Sequence, residues 1–257
     1  MDILRKELNA IYEAQRLGES RLPAEELTRC RRLAESVALA GNGCTALTDA
    51  SCDRCYLYAG ATGAMLGLAD TYPLRLELES SDEDIVYNRI HPEDLVDKRM
   101  LEYEYFRMVD PLPAEEKLRH KATCRFRIRD RRGEYVAVDN STQVIAVSPE
   151  ERIWLILCTY QLSPYKVASD GMSPCITDTL TGEIRHLSFA ARRSELITPR
   201  EKEILLMIRD GKLSKEIAAK LGISLHTVNR HRQNILEKLS VDNSIEAIMA
   251  ATSMKLL

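Results

Sequence analysis

The sequence predicts two domains of different class: an α+β domain on a mostly antiparallel sheet, then an all-α domain of four helices. Three observations carry that reading. Residues 124–129 alternate apolar and basic, with Cys124, Phe126 and Ile128 set against Arg125, Arg127 and Arg129, the period of a half-buried strand. From Thr198 onward, apolar residues recur at helical spacing between capping and stop signals. A chain of 257 residues, 45% hydrophobic and 29% charged, holds enough apolar material for two ordinary cores.

Composition excludes several classes. The 36 Lys and Arg against 39 Asp and Glu give a net charge of -3, which rules out a histone-like polybasic protein and an acidic disordered tail. Seven cysteines are an odd number, and the charged opening Met1-Asp2-Ile3-Leu4-Arg5-Lys6-Glu7 has no apolar run behind it. The expectation is therefore a cytoplasmic protein with no secretory signal and no disulfide framework. The longest apolar stretch, Ile153 to Tyr160, is too short to span a bilayer, so no membrane partner is expected. Charge is unevenly shared. From Ser194 onward ten Lys and Arg face eight Asp and Glu, a net of +2, while the first 193 residues hold a net of -5. A basic tail on an acidic body is a weak pointer to a polyanion partner.

In chain order, residues 1–42 form a helical segment. Ile3/Leu4, Leu8, Ile11/Tyr12 and Gln15 keep helical spacing up to Gly18, and a second helix runs from Pro23 to Ala40 before Gly41-Asn42-Gly43. Their expected role is to cover, or dimerise, the next domain. Residues 43–164 form the α+β domain. Tyr56-Leu57-Tyr58 and Gly63 to Gly67 read as a strand leading into a turn, and His91-Pro92-Glu93-Asp94-Leu95 opens a helix through Phe106. The alternating strand follows, then a turn at Arg132-Gly133-Glu134, a strand from Tyr135 and a last one from Arg152 to Tyr160. Residues 165–193 are a linker with a β-hairpin about Asp178–Glu183.

The Tyr-Leu-Tyr strand with its Met-Leu-Gly turn, the His-Pro-Glu-Asp segment and the Arg-rich strand closing on Arg-Gly-Glu-Tyr resemble the PAS sensor family over about 120 residues. The resemblance implies a sensor domain that takes a small-molecule or protein effector. It names no cofactor: His91 belongs to a segment such domains share whatever they bind, and the flavin-reactive cysteine motif is absent.

Residues 194–257 are the more informative. Thr198-Pro199-Arg200-Glu201 is a capping box with proline at the first helical position, Ile204, Leu205 and Ile208 make a stripe, and Gly211 stops the helix. A second helix starts near Ser214 with Ile217, Ala218 and Leu221. The turn Leu221-Gly222-Ile223 leads to Ser224, cap of a third helix reaching Leu239, and Asn243 with Glu246 opens a fourth. Two short helices about a glycine turn, the second polar and basic, make a helix-turn-helix. On a wheel at about 100° per residue, Val228, Ile235 and Leu239 share the inner side of the third helix. His226, Asn229, Arg230, Gln233 and Glu237 collect opposite. Arginine reads guanine edges, and Asn and Gln read adenine edges, each bidentate.

These residues, with Lys215-Glu216-Ile217-Ala218, Thr227-Val228, His231 and Asn234-Ile235, resemble the LuxR-type DNA-binding domain over about 60 positions. The resemblance implies double-stranded DNA as partner and a homodimer. It places base reading on Asn229, Arg230 and Gln233, and backbone contact on Ser224, Thr227, Lys238 and Lys215. Dimerisation falls on Ile245, Ile248, Met249 and Thr252 of the last helix, divided between core and partner. One departure stands out. Leu213 occupies the place of the Ser or Thr that caps the second helix in the family, so either Ser214 caps one residue late or another group serves the first turn.

Other motifs point to no chemistry. Cys52-x-x-Cys55 lacks paired partners for a four-ligand zinc site and precedes a strand, not a redox helix; it reads as ordinary reduced cysteines, one buried and one exposed. The Arg125/Arg127/Arg129 row, with Arg131 and Arg132, reads as the wet face of an edge strand, the alternative being a site for an anion such as an acidic effector. No nucleophile elbow, P-loop or paired catalytic acids occur, so no enzyme, catalytic residue or metal is expected. The expectation is a bacterial one-component transcription regulator. Its alternative is a constitutive DNA binder whose PAS-like domain serves only protein interaction or dimerisation.

Overall fold

The computed structural model describes residues 8, 10–11, 13–15, 17, 22–68, 70, 73–80, 83–167, 172–189, 197–239, 241–253 and 256–257. They divide into two compact units, Leu8–Leu187 and a second containing Ser188–Leu257.

Much of the first expected helix, with its Gly18 stop, lies outside the described residues. Leu8, Gln15 and Leu17 are described, and all three are buried. Gln15 works as a polar pin: its Oε1 accepts from Ile153 N at 3.0 Å and its Nε2 donates to Asp110 Oδ1 at 2.9 Å. Helix α1 (Ala24–Ala40) begins after Pro23, carries Glu25 and Glu26 in its first turn, where the helix dipole favours negative charge, and ends at Gly41. It buries Cys30, Ala34 and Ala38, a stripe of small side chains at spacing four. That stripe shares a core with Leu47, Tyr56, Tyr58, Trp154 and Leu157, so α1 covers part of the sheet.

The sheet holds β1 (Cys44–Asp49), β2 (Arg54–Ala59), β3 (Leu74–Leu78), β4 (His120–Arg129), β5 (Tyr135–Val147), β6 (Ile153–Leu162), β7 (Cys175–Asp178) and β8 (Ile184–His186). Their order is β3-β2-β1-β6-β5-β4-β7-β8, and every pairing is antiparallel. Between β2 and β4 come α2 (Ala61–Met65), α3 (Asp84–Tyr87), α4 (Pro92–Val109) and α5 (Ala114–Arg119). His91 caps α4, its Nδ1 accepting from Glu93 N at 3.3 Å, with Pro92 at the first position.

Three expectations need correction. The segment around Gly63 is the short helix α2 and not only a turn. Residues 175–186 do not stand apart as a linker hairpin: β7 pairs with β4, so the hairpin extends the sheet. The arginine row is not the wet face of an edge strand. β4 lies between β5 and β7, and beyond β7 its outer side is held by Arg125 N to Met172 O at 3.1 Å, His91 N to Arg127 O and Arg129 N to Arg89 O, both at 2.8 Å. Arg127 meets Asp94 at 2.7 Å and Glu93 at 2.9 Å, and Arg125 meets Asp139 at 2.6 Å. Alternation along one strand identifies its two faces but not its neighbours, which long-range pairing supplies. Among the described residues, no helix is long and apolar enough to cross a membrane.

Tyr105 of α4 is fully buried, donating its hydroxyl to His120 O at 2.9 Å and accepting from Val144 N at 3.0 Å. Tyr105→Phe leaves both backbone groups without that partner and should destabilise this unit by about 1–3 kcal/mol. Urea unfolding followed through Trp154, the one tryptophan of the chain, reports this unit directly.

Candidate nucleic-acid interface

The second unit is built from caps inward. Helix α6 (Pro199–Arg209) opens on a complete capping box: Glu201 N donates to Thr198 Oγ1 at 3.2 Å and Thr198 N to Glu201 Oε2 at 2.8 Å. That carboxylate, only 2% exposed, also receives Lys238 Nζ at 2.7 Å. Burial pushes the Glu201 carboxyl up, but the bonds from Lys238 and Thr198 outweigh it and hold it below its ordinary value.

Helix α7 (Ser214–Leu221) settles the Leu213 question. Leu213 has no side-chain oxygen, yet its N–H donates to Glu216 Oε2 at 2.7 Å, so one half of the box survives. Ser214 does not cap late: Leu213 is the N-cap, Ser214 is the first residue of the helix, and its hydroxyl accepts from Arg232 at 2.9 Å. The turn that follows needs Gly222 at φ +64, a left-handed conformation that glycine adopts without penalty.

Helix α8 (Leu225–Leu239) has Ser224 before it, whose Oγ accepts from Thr227 N at 3.0 Å and pairs with the Thr227 hydroxyl at 2.8 Å. Val228, Ile235 and Leu239 are buried with Ile204, Leu205, Ile217, Ala247 and Ala251. His226, Asn229, Arg230, Gln233 and Glu237 are all exposed, as is Lys215 at the start of α7. The structure thus brings Asn229, Arg230 and Gln233 onto one open helix face, with Ser224 and Thr227 at its N-terminal end. Lys238 stands apart, since its ammonium is held by Glu201 inside the domain.

Helix α9 (Ser244–Ser253) is capped by Asn243, which accepts from Glu246 N at 3.0 Å and donates to Glu246 Oε1 at 2.7 Å. Ala247 and Ala251 face the core, and Ile248 is half-buried against it. Ile245 and Met249 are 72% and 67% exposed, with Thr252 exposed beside them at helical spacing. Sequence reasoning missed Arg232. Its guanidinium joins Ser214 Oγ to Ser244 Oγ, each at 2.9 Å, and so links the starts of α7 and α9 across α8. Its position between the apolar and outward faces of the wheel was the available signal.

In the first unit, a polar cluster lies sealed beneath α3 and α4. Lys98 Nζ is 2.6 Å from Glu102 Oε1 and 3.3 Å from Thr142 Oγ1, and Tyr87 donates to the same Glu102 oxygen at 2.5 Å. Tyr160 donates to Glu83. Among the described residues, Glu102 Oε2 is buried without a hydrogen-bond partner. Burial pushes the Glu83 carboxyl up to about 7 against the pull of Tyr160 and Lys98. Burial pushes Lys98 down, but Glu102 more than reverses it, so the ammonium stays charged. Elsewhere, Cys52 is exposed and Cys55 buried, and burial raises both thiols, which disfavours the nucleophilic thiolate. His91, Glu93 and Asp94 bring potential ligand atoms within 4.8 Å of one another, but Arg127 already holds both carboxylates.

Residues 195–251 match the family described as bacterial regulatory proteins, luxR family. The transcriptional regulatory protein UhpA of Salmonella typhimurium is 45% identical over 60 residues, covering 23% of this chain and 31% of UhpA. DesR of Bacillus subtilis, a transcriptional regulatory protein, is 54% identical over 52 residues, covering 20% of this chain and 26% of DesR. The chain therefore spans about a third or less of these two relatives' lengths. A solved structure of the Vibrio cholerae VqmA dimer without target DNA aligns over 92% of this chain and 89% of that one, at 17% identity and a TM-score of 0.26.

Lys238→Ala would leave the buried Glu201 carboxylate without its cation and should cost the second unit about 1–3 kcal/mol, measured by urea unfolding followed by circular dichroism. Because the folded carboxyl lies below its unfolded value, its stabilisation is present above about pH 4.3 and is lost as pH falls further. Glu201→Gln should therefore flatten the acid limb of stability against pH.

Proposed function

We propose that this chain, whose residues 195–251 are a LuxR-type helix-turn-helix DNA-binding domain, is a transcription regulator that binds duplex DNA as a homodimer under control of a PAS-like sensor. The observation that carries the DNA half is the open face of α8. Asn229, Arg230 and Gln233 project from a helix whose opposite side is locked by Val228, Ile235 and Leu239. A rigid helix with amide and guanidinium groups outward can enter the major groove and exchange bidentate bonds with base edges. Ser224, Thr227 and Lys215, at or near helix N-termini, would contact phosphates, where dipole and side chain both favour an anion. Lys238 would add its charge from behind the salt bridge with Glu201.

The exposed Ile245, Met249 and Thr252 face of α9 supports dimerisation. Two large apolar side chains one turn apart on a short capped helix suit a self-complementary contact, which would set two recognition helices about 34 Å apart along the DNA. For the sensor, the antiparallel sheet with a helical middle and a charged, hydrogen-bonded interior beneath α3 and α4 supports signal reception there. A group that rearranges Lys98, Glu102 or Glu83 would repack α4 against the sheet, and differential affinity for two packings is what shifts a population.

Arg230→Ala should remove about 1–3 kcal/mol of the preference for a selected operator over random duplex, read by fluorescence anisotropy at fixed salt. Undiminished discrimination in that variant would take Arg230 off the reading face. Sedimentation velocity should show Ile245→Glu/Met249→Glu shifted toward monomer, with the helical circular dichroism of the unit intact. An unchanged dimer would place the self-contact elsewhere.

A further inference from the structure

The face of the sheet that carries Ser141 and Thr159 holds a second feature, which neither the DNA face nor the buried polar cluster uses. An open-mouthed pocket of about 400 Å³ lies over β4, β5 and β6, with Lys166 from the segment after β6 and Met172 and Ser173 from the segment entering β7 as its walls. That volume is in the range of small-molecule sites. Its wall is tied in place, since Arg125 N donates to Met172 O at 3.1 Å and Met172 is 2% exposed. Ser173 holds φ +49, a left-handed conformation unfavourable for a residue with a side chain.

Charge gives the pocket its selectivity. Lys121, Arg125 and Lys166 line it, and among the described residues Asp139 is the one carboxylate that does. Asp139 is engaged by Arg125 at 2.6 Å, which leaves the pocket a surplus of two positive charges in a part of the chain that is net negative. On the floor, the Ser141 and Thr159 hydroxyls bond each other at 2.8 Å, with Ser141 only 7% exposed. That pair keeps spare donor and acceptor capacity, because each hydroxyl offers one hydrogen and two lone pairs.

We infer that this pocket binds a small hydroxylated organic anion, its carboxylate or phosphate held by Lys121, Arg125 and Lys166 and its hydroxyl read by the Ser141–Thr159 pair. Cations in a walled pocket bind oxyanions through charge-assisted hydrogen bonds, and buried hydroxyls discriminate against analogues that cannot pair with them. The inference stands without the DNA-binding reading, since it concerns residues of the first unit alone.

Isothermal titration of the full chain, without DNA, tests it with citrate and glycerol 3-phosphate as probes and succinate and glycerol as controls. The expected result is one site per chain for citrate, glycerol 3-phosphate or both, with succinate weaker and glycerol silent. Binding of one probe alone tells a carboxylate site from a phosphate site, and binding of both shows a site that accepts either anion. Lys121→Gln/Lys166→Gln changes one half-buried and one exposed side chain, neither with a carboxylate partner among the described residues, and it should weaken binding by about tenfold or more. Arg230→Ala should leave the isotherm unchanged. No binding of either probe at millimolar concentration overturns the site, as does equal affinity in the double lysine variant whose thermal melt matches the parent. Loss of binding in Arg230→Ala would assign the anion to the second unit and overturn the site equally.

Discussion

The buried carboxylate of Glu201 is the constraint on which the second unit turns. One oxygen closes the first turn of α6 through Thr198 N and also receives Lys238 from the far end of α8. A carboxylate removed from water has to be paired, so the partners of Glu201 are fixed in space relative to it. α8 is thereby anchored to α6 at its C-terminal end, while Val228 and Ile235 hold its middle against the core. Arg232 adds a second tie, to the starts of α7 and α9. The face carrying Asn229, Arg230 and Gln233 stays exposed while these ties hold other sides of the helix.

The first unit places charge on both sides of the same three strands. Adjacent residues of a strand face opposite sides, so Thr142 meets Lys98 beneath α4 while Ser141 lines the pocket on the other face. Beneath α4 the ammonium is paired and sealed, with Glu102, Tyr87 and Thr142 as near neighbours of Lys98. On the opposite face the charges are unbalanced and open to solvent. A sealed ionic cluster adds directional demands to a core that hydrophobic packing alone would leave more permissive, and an open cationic pocket is available to a ligand.

Much of the second unit was legible in the sequence because its determinants are local. The capping box at Thr198, the side-chain cap at Asn243, the glycine turn at Gly222 and the stripe of Val228, Ile235 and Leu239 each act within a few residues, and the structure carries all of them. The same holds for α1 between Pro23 and Gly41, for α4 behind His91 and for the alternation of β4. β1 was not legible as a strand: all six residues are buried, and a strand covered on both faces shows no alternation. β3 was missed although it alternates, because it is only five residues long and two of them are charged.

What the sequence determined by itself was therefore where helices start and stop, which face of each is apolar, and which residues of α8 face outward. Those properties depend on backbone geometry and on neighbours three or four residues away. Tertiary structure alone decided that β4 is an interior strand, that Arg127 belongs to Glu93 and Asp94, that Lys238 belongs to Glu201, and that Lys121, Arg125 and Lys166 share one pocket. Each depends on residues more than thirty positions apart, for β4 its pairing with β7, except that Lys121 and Arg125 share a strand. The physical reason is common to all of them: a charged side chain takes the partner that folding brings near, and spacing along the chain carries no record of that choice.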